Sequence, residues 1–127
     1  MSKFFYDSYA IIAHFTGDKN YQSYFIEHSG VTSFYNVMEV YYAILKREGE
    51  KEAHLILQHL IPLIVYPDFN DIEPAMKFRL KHNKHKLSYA DCLGYILASK
   101  HNVKFLTGDK EFVSLPNVEF IRSSHSM

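Results

Sequence analysis

The stretch Lys3-Phe4-Phe5-Tyr6-Asp7-Ser8 defines the first unit of the fold. Lys3 to Tyr6 favours a β-strand, and Asp7 and Ser8 are residue types that begin a helix, here Tyr9 to Phe15. A strand that passes directly into a helix is the repeating unit of α/β domains. Functional side chains in such domains gather beyond the carboxyl ends of the strands, so Asp7 is a candidate site residue.

The rest of the chain continues this alternation. Helices are predicted over Asn20 to His28, Ser33 to Glu48, Glu50 to Leu60, Asn70 to Asn83 and Ser88 to His101. Strands are predicted at Val31-Thr32, Leu63 to Tyr66, Val103 to Leu106 and Val118 to Ile121. The pattern predicts an α/β fold, a three-layer α/β/α sandwich around a central, mostly parallel sheet of about five strands.

Two of these elements carry predictions about burial. The uniformly apolar strand Leu63 to Tyr66 is expected to be buried on both faces. In the helix from Ser33 to Glu48, one face is predicted to pack on the core because its apolar residues follow helical spacing. Those residues are Phe34, Val37, Met38, Tyr41 and Leu45.

Length and composition restrict the class of protein. A chain of 127 residues is expected to form a single domain over residues 1–127. Fourteen Lys and Arg residues balance fourteen Asp and Glu residues, so overall charge gives no argument for nucleic-acid binding. The lone Cys92 and the absence of a signal-like start or a membrane-length apolar run predict a cytoplasmic protein with no membrane span.

Four acidic residues fall where the predicted fold concentrates function. Asp7 and Asp109 follow strands, Glu39 lies roughly two turns into the helix after the second strand, and Asp91 opens the helix before the fourth. Hard divalent cations take several oxygen ligands from separate elements, and a cation relieves repulsion among neighbouring carboxylates. The all-oxygen set predicts Mg²⁺ or Mn²⁺ rather than zinc.

Each of these acids also has a purely structural interpretation. Asp7 is suited to cap its helix, and Ser88 with Asp91 has the spacing of a capping box. Asp109 is suited to a turn or to the cap of a short helix. Glu39 is harder to explain in this way, because no basic residue lies four positions before or after it.

A basic segment precedes the helix that carries Asp91. Its cationic residues are Lys77, Arg79, Lys81, Lys84 and Lys86. An RNA backbone that followed this segment would release counterions, so the segment is a candidate RNA-binding surface. A solvated helix face is the alternative interpretation.

Four sequence blocks resemble the PIN-domain family over nearly the whole chain. They are Phe4-Phe5-Tyr6-Asp7-Ser8, Thr32-Ser33 with Glu39, Leu87-Ser88-Tyr89-Ala90-Asp91, and Val103-Lys104-Phe105-Leu106-Thr107-Gly108-Asp109-Lys110-Glu111-Phe112. The resemblance implies a catalytic, metal-binding set of Asp7, Glu39, Asp91 and Asp109. It adds Ser8 and Thr107 as supporting residues, with Glu111 where some members carry a further acid.

The resemblance also implies a function. Such proteins are magnesium- or manganese-dependent endoribonucleases, often VapC-like toxins that pair with an antitoxin, and commonly homodimers. A bound cation would polarise the phosphate and lower the pKa of a water molecule. Asp7, Asp91 and Asp109 are expected chiefly as metal ligands and Glu39 as a ligand or a base, with one or two metals.

Other functions remain open at this point. A PIN-fold nuclease in RNA processing or on structured DNA, or a metal-dependent phosphatase, would use the same acids on another phosphate. A catalytically silent PIN-fold binding module would keep the fold and use the acids only for stability. A flavodoxin-like binder is disfavoured because no glycine-rich loop follows the first strand.

Overall fold

The computed structural model describes residues 2–124. The strands are β1 (Phe4–Tyr6), β2 (Gly30–Ser33), β3 (Ile64–Val65), β4 (Lys104–Thr107) and β5 (Val118–Phe120). The helices are α1 (Ser8–Phe15), α2 (Gln22–Ile26), α3 (Phe34–Glu48), α4 (Glu50–Leu60), α5 (Ile72–Lys81) and α6 (Tyr89–Lys100). Short 3-10 helices cover Ile61–Leu63, Phe69–Asp71 and Lys110–Phe112.

The five strands form one parallel sheet in the order β3-β2-β1-β4-β5. This confirms the predicted α/β fold with five strands. The chain leaves β1 towards β2 and later returns to the other side of β1 with β4, so the strand order reverses beside β1. Functional sites of open parallel sheets lie at such a reversal, at the carboxyl ends of the strands.

Hydrophobic clusters on both faces of the sheet create the three layers. Side chains alternate along a strand, so Phe4 and Tyr6 of β1 enter the cluster that contains residues of α1, α3 and α4. Phe5 points to the other face and joins the cluster formed with α6. In β4, Leu106 and Phe105 divide between the same two clusters. The central strands are thus covered by helices on both sides.

The prediction that strand Leu63 to Tyr66 is buried on both faces was wrong. The strand is only Ile64–Val65, both residues are half-buried, and Tyr66 is 69% exposed. It is the edge strand of the sheet, paired on one side with β2. Pro62 lies in the 3-10 helix that precedes it, and Pro67 follows it, which keeps this edge short.

The predicted core face of α3 was right for Val37 and in part for Tyr41, which packs half-buried against the same cluster, but wrong for the other three residues. Val37, Val40 and Ile44 are buried against α1 and α4. Of the predicted set, Phe34, Met38 and Leu45 are exposed, which leaves Val37 as its only fully buried member. The helix is apolar on more than one side, so two overlapping stripes satisfy helical spacing, and packing selects between them. The helix ends as predicted at Gly49, whose φ of 96° favours glycine.

The other helices follow the prediction, with shorter ends. α2 covers Gln22–Ile26 rather than Asn20 to His28, and α5 ends at Lys81 rather than Asn83. No helix within residues 2–124 is long and apolar enough to cross a membrane.

Candidate active site at the carboxyl edge of the sheet

Asp7 lies between β1 and α1 at the centre of this edge. It occupies the position that precedes α1, but its side chain makes no capping hydrogen bond. Its Oδ2 atom instead accepts a hydrogen bond of 2.7 Å from the hydroxyl of Thr107. The register places Tyr6 opposite Leu106, so the next residues of the two strands meet. Asp7 is therefore held by the neighbouring strand, and the cap interpretation was wrong.

The electrostatic environment of Asp7 disfavours its charge. Burial raises the pKa of Asp7 to about 7, against the lowering effect of the Thr107 hydroxyl, while the charges of Asp91 and Asp109 raise it further. The residue is only 4% exposed. None of the ion pairs between residues 2 and 124 involves Asp7. A buried carboxylate without a basic partner is typical of a functional site.

Asp91 forms the capping box that its spacing predicted. The hydroxyl of Ser88 accepts from the amide of Asp91 at 3.0 Å, and Asp91 Oδ2 accepts from the amide of Ser88 at 2.9 Å. Burial raises the pKa of Asp91, the Ser88 hydrogen bonds lower it, and the charges of Asp109 and Glu39 raise it. Asp91 thus caps α6 and also interacts electrostatically with the other acids.

Asp109 caps the 3-10 helix Lys110–Phe112. Its Oδ1 atom accepts from the amide of Glu111 at 3.0 Å, which confirms the structural interpretation of this residue. Its own amide donates to Thr107 Oγ1 at 3.0 Å. The Thr107 hydroxyl therefore connects Asp7 and Asp109.

Glu39 is exposed on α3 and is oriented through a chain of polar side chains. The Ser8 hydroxyl donates to Glu39 Oε1 at 2.7 Å and accepts from Asn36 Nδ2 at 2.9 Å. Asn36 is 1% exposed, and its Oδ1 accepts from the Ser33 hydroxyl at 2.6 Å. This chain joins α3 to the start of α1, so Glu39 is positioned towards the element that follows Asp7.

The charges of the four acids interact, but within residues 2–124 their side chains do not form a group that could hold a metal. Asp7 interacts with Asp91 and Asp109, and Asp91 interacts with Asp109 and Glu39. Within the part of the chain that the structure describes, no three His, Cys, Asp or Glu side chains are grouped closely enough to hold a metal. Each acid instead accepts a hydrogen bond from a different residue, as described above. The donors are all oxygen atoms, which fits a hard divalent cation such as Mg²⁺ or Mn²⁺.

The sequence and the fold were compared with known proteins. The model of one protein family, described as the PIN domain, matches residues 4–118. The chain belongs to the PIN-domain family. No curated protein matches the sequence of this chain.

Solved structures resemble this PIN domain over most of its length. A toxin-antitoxin complex from Klebsiella pneumoniae has a TM-score of 0.72 and 21% identity and covers 93% of this chain and 96% of that one. VapC20 from Mycobacterium tuberculosis, a sarcin-ricin loop cleaving toxin, has a TM-score of 0.76 and 17% identity, and the match covers 94% of this chain and 99% of that one. PAE2754 from Pyrobaculum aerophilum has a TM-score of 0.69 and 14% identity, and the match covers 94% of this chain and 90% of that one. At these identities the likeness concerns the fold.

Glu111 of the PIN domain contacts the basic segment rather than the other acids. Its Oε1 atom accepts from the amide of Lys86 at 3.1 Å and lies 3.3 Å from His85 Nδ1. It thereby fastens the loop between α5 and α6 beside the 3-10 helix that Asp109 caps. The sequence predicted Glu111 as a supporting acid or as an exposed charge on a one-turn helix. In the structure it is half-buried in the 3-10 helix and is an attachment point for the loop.

The cationic side chains of the basic segment fall into two groups. Lys77 pairs with Glu73 at 3.7 Å, and Arg79 donates to the Leu87 carbonyl and lies 4.5 Å from the centre of the Tyr89 ring. The other three are exposed and form no ion pair within residues 2–124; they are Lys81, Lys84 and Lys86. The second group has charges available for a ligand.

Sequence reasoning missed Asn36 in this PIN domain. A polar residue three positions before Glu39 lies on the same side of a helix, between apolar neighbours, and that was the available signal. Its hydrogen bond to Ser8 joins residues 28 positions apart. The local pattern thus points to Asn36, but it does not identify the partner of its side chain.

Proposed function

We propose that this PIN domain is a divalent-metal-dependent endoribonuclease that uses Mg²⁺ or Mn²⁺, and that it is the toxin of a toxin-antitoxin pair. The observation that carries the proposal is Asp7, a buried carboxylate that has no basic partner among residues 2–124 and whose pKa the charges of Asp91 and Asp109 raise. Membership of the PIN family supports nuclease chemistry. Two proteins with the same fold, a toxin-antitoxin complex and a sarcin-ricin loop cleaving toxin, support the toxin role.

The proposed roles follow from the contacts of each residue. Asp7, Asp91 and Asp109 would hold the cation, and Thr107 keeps Asp7 and Asp109 in register through its hydroxyl. When bound, Mg²⁺ or Mn²⁺ would polarise the phosphate and lower the pKa of a water molecule. Glu39 is exposed and oriented by Ser8, so it is suited to accept a proton from water or to act as a further ligand.

The basic segment is the proposed entry surface for RNA. Lys81, Lys84 and Lys86 would contact phosphates, because they are exposed and unpaired within the described residues. Lys86 is fastened through its amide to Glu111, two residues after Asp109. A strand bound on the segment would thus be led towards the acids.

The proposal includes an antitoxin partner and a homodimer. Apolar side chains of α3, α5 and α6 are left at the surface and line a groove of about 280 Å³. They include Tyr35, Ile72, Met76, Tyr89 and Leu93. Exposed apolar patches of this kind mark surfaces that bind other proteins.

The test of the nuclease proposal uses two aspartates that occupy the same structural position. Asp91 and Asp71 each complete a capping box at the start of a helix, with Ser88 and Asp68 respectively. Only Asp91 interacts with the other candidate acids, whereas Asp71 pairs with Lys100. Asp91→Asn should lose at least about 100-fold in RNA cleavage with Mn²⁺ or Mg²⁺, because a ligand charge is removed. Asp71→Asn should keep full activity per folded molecule.

The measurement is cleavage of defined single-stranded RNAs by protein freed of metal and then supplied with Mn²⁺ or Mg²⁺. Products with 5′-phosphate and 3′-hydroxyl ends are expected. Full cleavage in chelator, or an Asp91→Asn variant as active as Asp71→Asn, would show that the acids have only a structural role. Cleavage of duplex DNA or of phosphate monoesters in preference to RNA would replace the proposed substrate.

A further inference from the structure

A second cleft adjoins the candidate active site at Asp109, and Asp91 is not part of its lining. It has a volume of about 770 Å³, within the range of small-ligand sites. The residues that matter for its chemistry are Tyr9, Gly108, Asp109, Lys110, Phe120 and Arg122. Asp109 is shared with the candidate active site, and the rest of the lining combines aromatic and cationic side chains with a second acid, Glu111. Nothing in the proposed mechanism uses this cleft.

The Tyr9 ring is held against the backbone beside Asp109. A Cβ atom at position 108 would overlap the Tyr9 ring and the Tyr21 hydroxyl, so a glycine is required for this close approach. The Tyr9 and Tyr21 ring centres are 6.2 Å apart. Tyr21 is fully buried, and its hydroxyl donates to the Ile121 carbonyl at 2.5 Å, which gives Tyr9 a fixed support.

The Tyr9 ring also remains available to a ligand. The residue is 37% exposed, two positions after Asp7, in the first turn of α1. Its hydroxyl makes no hydrogen bond to another group within residues 2–124. A supported aromatic ring that is partly exposed beside a polar cleft is suited to stack on a planar group.

Two cationic side chains complete the cleft. Lys110 and Arg122 are exposed, and neither forms an ion pair in the part of the chain described. The backbone at Arg122 is fixed, because its carbonyl accepts from Asn20 Nδ2 at 2.9 Å and the preceding amide of Ile121 donates to the Thr107 carbonyl at 3.0 Å. An anionic group attached to a planar one would match this combination of ring and charge.

Glu111 connects the cleft with the basic segment. It lines the cleft and at the same time binds the amide of Lys86. The basic segment and the cleft therefore meet at Glu111, and Asp109 belongs to both the cleft and the candidate active site. A single strand bound over the lysines would therefore reach the cleft, where Asp109 lies.

We propose that this cleft binds a nucleotide of single-stranded RNA adjacent to the cleaved phosphate, with its base stacked on Tyr9 and its phosphate paired with Arg122 and Lys110. The proposal rests on the ribonuclease function proposed above and specifies the conformation of its substrate. Only an unpaired base offers its face to a side chain, so the cleft selects single-stranded segments or loops over duplex.

The first test is stacking on Tyr9. Short single-stranded RNAs that carry 2-aminopurine in place of one adenine are titrated with protein in chelator, where cleavage does not occur. Wild type should quench the fluorescence when it binds, and Tyr9→Phe should do the same. Tyr9→Leu should lose the quenching and bind roughly 5- to 100-fold more weakly, the range expected for loss of one base-aromatic stack.

The second test is the charge of Arg122, which also serves if Tyr9→Leu fails to fold. Arg122→Gln should reduce the slope of log affinity against log salt by about 0.7, the value for one phosphate contact on a single strand. Lys104→Gln is the matched control, since Lys104 begins β4 at the opposite end of the sheet. It should leave affinity and slope unchanged.

The outcomes separate the two proposals. If wild type cleaves RNA with Mn²⁺ while Tyr9→Leu still quenches and Arg122→Gln keeps its slope, the cleft proposal alone is overturned. If wild type neither binds nor cleaves any of the RNAs, the ribonuclease proposal fails, and the cleft proposal fails with it. A raised KM with little change in kcat for Tyr9→Leu would support a substrate-binding role over a general structural effect.

Discussion

At the scale of single residues, the buried carboxylate of Asp7 destabilises the fold when it is charged, and its proposed role in metal binding would explain its presence. Its pKa is raised by burial to about 7, above the ordinary value of 3.8. The folded chain therefore binds the proton more tightly than the unfolded chain does. The unfolding free energy is unaffected by Asp7 below about pH 4 and decreases as the pH rises through about 7.

We expect Asp7→Asn to stabilise the metal-free protein at alkaline pH. The amide can still accept from Thr107, but the buried charge is removed. In chelator near pH 8 the gain in unfolding free energy should be on the order of 2 to 4 kcal/mol, and near pH 4 it should vanish. Urea denaturation at both pH values measures it.

Added Mn²⁺ provides the control for this prediction. It should stabilise wild type near pH 8 and have little effect on Asp7→Asn, because the variant lacks a ligand charge. A variant that is less stable than wild type at alkaline pH would show that Asp7 contributes to the fold as a charged hydrogen-bond acceptor.

The candidate acids could be predicted from the sequence because their positions depend on local order. Asp7 and Asp109 follow strands, and Asp91 follows Ser88 at capping-box spacing. Which acid caps a helix was less predictable. Asp7 has the preferred residue type for a cap, but Thr107, 100 positions away, takes its carboxylate. The roles of Asn36 and Tyr9 likewise depend on distant partners.

At the scale of elements, the basic segment at the end of α5 provides a second prediction. Changing Lys81, Lys84 and Lys86 together to Gln should weaken RNA binding and reduce the salt slope by about 2, or roughly 0.7 for each phosphate contact on a single strand. These side chains precede α6 and are not among the four candidate acids, so cleavage at saturating RNA should survive. Fluorescence anisotropy across a range of salt concentrations measures the slope.

Lys3 and Lys104 supply the control for the triple variant. They flank the amino ends of β1 and β4, where the Lys104 amide donates to the Lys3 carbonyl at 3.2 Å. Changing both to Gln removes positive charge without touching the carboxyl edge. If the control and the triple variant alter the salt slope equally, the lysine segment is a solvated surface and the RNA path lies elsewhere.

Helix α3 shows where element-level prediction reaches its limit. Its boundaries followed from the Ser33 cap and Gly49, both of which are local signals. Its buried face did not, because Phe34, Met38 and Leu45 compete with Val40 and Ile44 for the core, and only the neighbouring helices decide. The same argument applies to β3, whose apolar sequence fits a central strand as well as an edge strand.

At the scale of the whole molecule, contacts between segments far apart in the sequence determine the fold. The alternation of strands and helices predicts the layers, but the order β3-β2-β1-β4-β5 is set by packing on both faces of β1. The segment after β5 then returns to the turn after α1. Asp18 accepts hydrogen bonds there from Ser123 and Ser124, and it is 1% exposed.

This closing contact should set the acid limit of stability. Burial raises the pKa of Asp18, but hydrogen bonds from Ser123, Ser124 and the Asn20 amide outweigh it and lower the pKa to about 2. The folded chain therefore binds this proton less tightly than the unfolded chain. The stability that Asp18 contributes is fully present above about pH 4 and is lost as the pH falls towards 2.

Asp18→Asn should therefore lower the unfolding free energy by about 1 to 3 kcal/mol near neutral pH, because charge-assisted hydrogen bonds are weakened, and should flatten its decline below about pH 4. Urea denaturation followed by circular dichroism from neutral pH to about pH 3 measures both effects. Glu73→Gln, which breaks an exposed ion pair with Lys77, is the control and should change stability by less than about 0.5 kcal/mol. If Asp18→Asn gave a curve parallel to that of wild type across this pH range, the Asp18 carboxylate would contribute packing alone, and another group would set the acid limit.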